Sequence, residues 1–180
     1  MLSALKRLLN PHAPSRRTIE TIYGMIVAQA REPVFYQALN VPDTVNSRFD
    51  MVVLHLWLLL RRLRPVDGEG AVAQAVFDYF CRDMDANLRE MGVGDLTVPK
   101  RMKKFGEAFY GRAAAYDAAL AEGAANLTDA LARNVLNSSE PARASGLAAY
   151  VAAAIAHLDT VDDATLLAGG WQFPAPQVLA

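Results

Sequence analysis

The chain has 180 residues, 53% of them hydrophobic, with 18 Lys and Arg against 19 Asp and Glu and a net charge of −1. That length suits one domain with a substantial core. A single cysteine, Cys81, excludes an intramolecular disulfide, and the scattered His12, His55 and His157 give no metal-ligand spacing, so neither a disulfide scaffold nor a metal module is expected.

Residues 1–15 begin with Leu2, Leu5, Leu8 and Leu9 on one helical face beside Lys6 and Arg7. The basic pair breaks the apolar stretch and no small-residue cleavage site follows, so no secretory signal is expected. A flexible or docked amphipathic segment is expected there, able to touch a membrane surface or a partner. Residues 16–180 read as one helical domain.

Ile19, Ile22, Tyr23, Ile26 and Val27 mark a first amphipathic helix ending near Glu32-Pro33, and Phe35, Tyr36 and Leu39 a short apolar turn or helix. Thr44 then caps a helix reaching about Leu63, with Asp43 near its positive end. Its stretch from Met51 to Leu60 is apolar except for His55. Ten such residues are too few to cross a bilayer, which takes roughly 20. A helix apolar all round belongs at the centre of a bundle.

Pro65 to Gly70 is a turn. The next helix carries Val72, Val76, Phe80, Met84 and Leu88 at four-residue spacing and stops at Gly92-Val93-Gly94. Thr97 is expected to cap the longest helix, with Pro99 tolerated in its first turn. Its core seam is Val98, Met102, Phe105, Phe109, Ala113, Tyr116 and Leu120. A helix over about Leu127–Leu136 follows, then one starting at Ser139-Glu140-Pro141 that buries Leu147, Val151, Ala154, Ile155 and Leu158. Thr160 with Asp163 resembles a capping box for a last helix to Ala168. Trp171 and Phe173 are expected to fold back on the domain. The fold class is therefore all-α: a single-domain bundle of about seven helices around the central helix 44–63.

His55 allows two readings. It could be a haem or metal ligand or a proton-sensitive switch. The expected reading is a neutral core histidine bonded to another helix, because a buried donor left unmade is costly. Asp78 with Arg82, and Asp85 with Arg89, are expected as surface ion pairs one turn apart. Lys100, Arg101, Lys103 and Lys104 crowd a helix start, where the macrodipole favours acids. Recognition of an acidic partner, anionic lipid or phosphate is one reading; a charged surface offset by Asp95 and Glu107 is the other. Residues 1–112 carry 16 basic against 12 acidic side chains and residues 113–180 two against seven, which also suggests a basic face. No phosphate loop or nucleophile elbow is present, so an enzyme is not expected.

Two blocks carry a family resemblance. The first runs from Asp43-Thr44 through Arg48-Phe49 to Leu54-His55-Leu56-Trp57. The second joins Met84-Asp85, Arg89 to Asp95, Val98-Pro99-Lys100, Phe109-Tyr110-Gly111-Arg112 and Tyr116-Asp117. With Leu158-Asp159 and Leu166 to Trp171, they resemble the ubiquinol–cytochrome c chaperone family, in collinear order over about residues 20–175. The short N-terminal segment and Phe109-Tyr110-Gly111-Arg112 point to an α-proteobacterial member. The resemblance implies a non-catalytic assembly factor that binds cytochrome b and aids assembly of the cytochrome bc1 complex, with no cofactor and no specific nucleic-acid recognition. A cytoplasmic location is implied, or a peripheral one at the inner face of the cytoplasmic membrane, and contact with a membrane or the ribosome stays open. The expected partner surface is Arg89, Asp95, Lys100, Lys103, Lys104, Tyr110 and Arg112, with Arg112 facing away from the core seam. The expected structural core includes Phe49, His55, Trp57, Phe105, Phe109 and Tyr116. The alternative function is a small-molecule or haem-binding protein using His55 or His157.

Overall fold

A computed structural model describes residues 14–177, Glu69 apart. The expected amphipathic segment thus lies almost wholly outside the described residues. Among these there are eight α-helices and one 3-10 turn. They are α1 (Arg16–Ala30), α2 (Pro33–Gln37), α3 (Val45–Leu63), α4 (Ala71–Glu90), α5 (Val98–Glu122), α6 (Ala124–Asn134), the 3-10 turn Pro141–Ala144, α7 (Ser145–Thr160) and α8 (Asp163–Ala168). The all-α bundle anticipated from periodicity is the observed architecture.

The centre is α3. Thr44 caps it, its hydroxyl accepting from the Ser47 N–H at 3.2 Å. Every residue from Met51 to Leu59 is buried, and the helix touches α1, α4, α5 and α7. Each large apolar side chain so enclosed contributes roughly 1.5–3 kcal/mol, which fixes α3 as the element the others wrap. Trp57 also spends its indole N–H on Asp117 Oδ1 at 2.9 Å, tying α3 to α5.

Three local expectations change. Thr97 makes no capping hydrogen bond: its backbone is already helical (φ −96°, ψ −30°). Pro99, two residues on, lacks an N–H for the hydroxyl to accept. Thr160 closes α7, donating to His157 O at 2.7 Å, while Asp162 caps α8 by accepting from the Thr165 N–H at 2.9 Å. Asp78 accepts from Gln74 at 2.7 Å instead of pairing with Arg82, whose guanidinium lies 5.4 Å from the centre of the Tyr79 ring. The Asp85–Arg89 pair does form, at 2.7 Å.

The turn from α5 to α6 is made at Gly123 (φ 121°), a conformation that favours glycine. The C-terminal tail folds back as expected: Trp171 donates to Leu166 O at 3.1 Å and Phe173 packs edge-on against His55. Among the described residues no helix is long and apolar enough to cross a membrane.

Candidate functional site

The candidate surface is built where α4 ends and α5 begins. Gly92 takes φ 77° and lets the Val93 N–H return to Leu88 O at 3.0 Å, which terminates α4. Arg89 then holds the turn, bonding Asp85 on its own helix and Asp95 across the connection. The chain reverses so tightly that Met91 and Leu96 are left 63% and 91% exposed.

Asp95, committed to Arg89, does not offset the cations of α5. Lys103 has Glu107 at 3.7 Å, both well exposed, a geometry worth little in water. Lys100, Arg101 and Lys104 form no ion pair among the described residues and are all exposed. A positive helix start carrying further positive charge therefore projects beside exposed apolar side chains.

Next to it is an apolar groove of about 220 Å³ between α1, α3, α4 and α5. Val27, Val52, Met84, Leu88, Met91 and Phe105 line it, with Arg31 and Arg48 at the edge. Phe49 and Phe105 stack at 4.8 Å and form one wall. Val45, 76% exposed, stands at its mouth. None of the methionines was singled out as a site residue from the sequence. Met84, Leu88 and Met91 at helical spacing were the available signal, and methionine suits a surface that must fit varied apolar partners.

Tyr110 is 63% exposed and leans on Phe77 and Phe109. Arg112 does not face outward as expected. It turns under α5, and its Nη2 lies 2.7 Å from Oδ1 of Asp50, which is only 6% exposed. The approach is a charge contact without hydrogen-bond alignment: Asp50 Oδ1, Arg112 Nε and Tyr116 Oη are all buried without a hydrogen-bond partner among the described residues. Burial pushes the Asp50 carboxyl up to about 6 despite the opposing pull of Arg112.

Of the expected core residues, His55, Trp57, Phe109 and Tyr116 are buried, and Phe49 and Phe105 are half-buried at the groove wall. Both His55 nitrogens are engaged, with Met51 O at 2.7 Å and Tyr150 Oη at 2.8 Å. Desolvation lowers its pKa to about 4 against the opposing effect of the Met51 carbonyl, so the ring is neutral near pH 7. A haem iron could reach it only by opening the closed core and breaking a hydrogen bond. His157 lies on the surface with Nε2 3.0 Å from Gln172 O. The geometry does not favour the haem reading.

Residues 37–173 match the family model described as ubiquinol-cytochrome C chaperone. Ubiquinol-cytochrome-c reductase complex assembly factor 1 of Xenopus laevis is 31% identical over 152 residues, a match covering 83% of this chain and 76% of that protein. The Homo sapiens assembly factor 1 is 28% identical over 152 residues, and the match spans 51% of its length. A crystal structure of the Cbp3 homolog from Brucella abortus superposes with a TM-score of 0.80 at 38% identity, covering 97% of both chains.

Proposed function

Because this chain belongs to the ubiquinol–cytochrome c chaperone family, we propose that it is a non-catalytic chaperone that binds cytochrome b and assists assembly of the cytochrome bc1 complex. The client surface is the α4–α5 junction: Arg89 and Asp95 at the turn, Lys100, Lys103 and Lys104 on the helix start, and Tyr110 further along α5. One observation carries the assignment: Met91 and Leu96 are exposed beside Lys100, Arg101 and Lys104, which form no ion pair among the described residues, and next to an open apolar groove.

A fold optimised for stability alone would bury those apolar side chains and put acids at the start of α5. A client destined for a membrane exposes apolar segments before it is inserted, and a methionine-containing groove can cover one. The basic rim would hold acidic flanking groups and speed encounter. Residues of this kind can work by contact alone, without bond-making chemistry.

Deleting the gene in its host and measuring cytochrome b and assembled bc1 tests the role. Both should fall; unchanged levels of both overturn it. Reversing Lys100, Lys103 and Lys104 together to Glu tests the surface. Capture of cytochrome b should be lost while helix content is kept, and normal bc1 assembly in that variant would remove the surface assignment.

A further inference from the structure

The opposite side of the Phe49–Phe105 stack holds a second cleft, larger and of different character. It has a volume of about 710 Å³ and lies between the start of α3, the middle of α5 and the segment closing α6. That size is within the roughly 300–1,000 Å³ of ordinary ligand sites. Three cations line it: Lys104, Arg112 and Arg133. Asp50 is the one carboxylate among the lining residues, so the cleft carries an excess of positive charge. Ser47, Asn134 and Asn137 add polar groups, and Phe49, Phe105 and Leu136 supply apolar walls.

The floor is what makes this a built site. Asp50 and Arg112 touch, yet Asp50 Oδ1 and Arg112 Nε keep unused hydrogen-bonding capacity in a buried setting. Arg112 is held by its Nη1, which donates to Ala108 O at 3.4 Å. Tyr116 Oη, also buried and unpaired, lies close enough to feel both charges. Native proteins leave few such groups unpaired, so a cluster of three under an open cleft marks a charged floor not fully committed to the fold. Asn137, which takes the left-handed φ of 49°, sits at the far side of the same cleft.

We propose that this cleft binds an acidic segment of a partner protein, a carboxylate side chain seating between Lys104 and Arg133 and accepting from Arg112. The charge count favours an anion, and guanidinium groups match a carboxylate's two oxygens. Asp50 disfavours a phosphate: a dianion beside a buried carboxylate is repelled. A singly charged carboxylate is repelled less, and its approach would push the already raised Asp50 carboxyl further up, toward the protonated form. The apolar walls fit the side chains next to the acid, which favours a peptide over a free ion. The proposal stands on the cleft alone, whether or not the client is cytochrome b.

The test is a titration of the full chain followed by backbone amide NMR. The probe is a blocked Phe-Glu-Leu-Glu peptide, with Phe-Gln-Leu-Gln and inorganic phosphate as controls. Saturable shifts are expected around Ser47, Asp50, Arg112 and Asn134 with the glutamate peptide. The glutamine peptide and phosphate should bind at least tenfold more weakly. Arg112→Gln should weaken binding, but it strands Asp50 and can unfold the protein. The exposed double variant Lys104→Glu, Arg133→Glu leaves the buried floor intact and should lose binding at least tenfold while keeping its melting temperature. Absence of saturable shifts at millimolar peptide, equal binding of either control, or unimpaired binding by the double variant would each overturn the proposal. Since the readout is peptide binding in vitro, its failure is separable from any failure of bc1 assembly in the host.

Discussion

Tyr150 on α7 donates its hydroxyl proton to His55 Nε2 on the central helix across 2.8 Å. The direction follows from the other nitrogen: Met51 O can only accept, so Nδ1 carries the ring proton and Nε2 must accept. Tyr150 in turn accepts from Gln29 Nε2 at 3.1 Å, and that amide also donates to Pro174 O at 2.9 Å. One polar chain therefore joins α1, α3, α7 and the C-terminal tail inside an apolar core. Tyr150→Phe keeps the ring packing on Phe35 but leaves Nε2 without a donor. A loss of about 1–3 kcal/mol is expected in urea unfolding. A loss below the error of the measurement would mean that water or a rearranged Gln29 replaces the hydroxyl.

Two buried groups give acid stability opposite signs. His55 has a folded pKa of about 4 against 6.5 in the unfolded chain, so between those values the unfolded state binds the extra proton. Its contribution is complete above pH 6.5 and is lost as pH falls toward 4, by on the order of 3 kcal/mol. Asp50 is raised from 3.8 to about 6, so over that window the folded state binds the extra proton. Its contribution is complete below pH 3.8 and is lost as pH rises through 6. The two slopes oppose each other between pH 4 and 6, and the urea midpoint should change little there. Asp50→Asn removes one slope and should leave a midpoint that falls steadily from pH 6 to 4. Parallel curves for the two proteins would contradict the assignment.

The central helix was legible in the sequence because ten consecutive side chains, one of them histidine, span nearly three turns, leaving no polar face to put in water. Thr44 was legible as a cap for a related reason: it precedes a helix whose second and third residues keep their N–H groups. Thr97 failed because capping depends on backbone angles and on Pro99. The apolar groove was not legible, since Val27, Val52, Leu88 and Phe105 come from four helices and the exposure of Met91 depends on how α4 stops. Arg112 failed for another reason. A helical projection gives the direction of its Cβ, whereas its long side chain reaches back beneath α5 to a carboxylate on α3.

Two glycines inside α5 predict a gain in stability. Nothing lies within 4 Å of where a Cβ would sit on Gly106 or Gly111. Alanine at either position lowers the entropy of the unfolded chain without a clash, and each change should add about 0.5–1 kcal/mol. Gly169 is the contrast: it takes φ 75° after α8, and a Cβ there would meet Ile22 Cγ1 at 3.0 Å. Gly169→Ala should cost about 1–2 kcal/mol through left-handed strain. Thermal melts of the three variants check the ordering, and a destabilised Gly111→Ala would count against a freely exposed face there.

Charge reversal at the start of α5 separates folding from client capture. Lys100 opposes the macrodipole in the first turn, whereas Lys103→Glu also trades a weak contact with Glu107 for a repulsion, so Glu at all three should leave helix stability unchanged to within a few tenths of a kcal/mol. Capture of cytochrome b should nevertheless be lost, because the basic rim is gone while the apolar groove remains. The wild-type interaction should also weaken with added salt, since exposed charges are screened beyond about 8 Å at physiological ionic strength. Melts and pull-downs at low and high salt give both quantities from the same preparations. If stability and capture fell together, the cations would be serving the fold. Unchanged stability with lost, salt-sensitive capture marks residues kept for a partner.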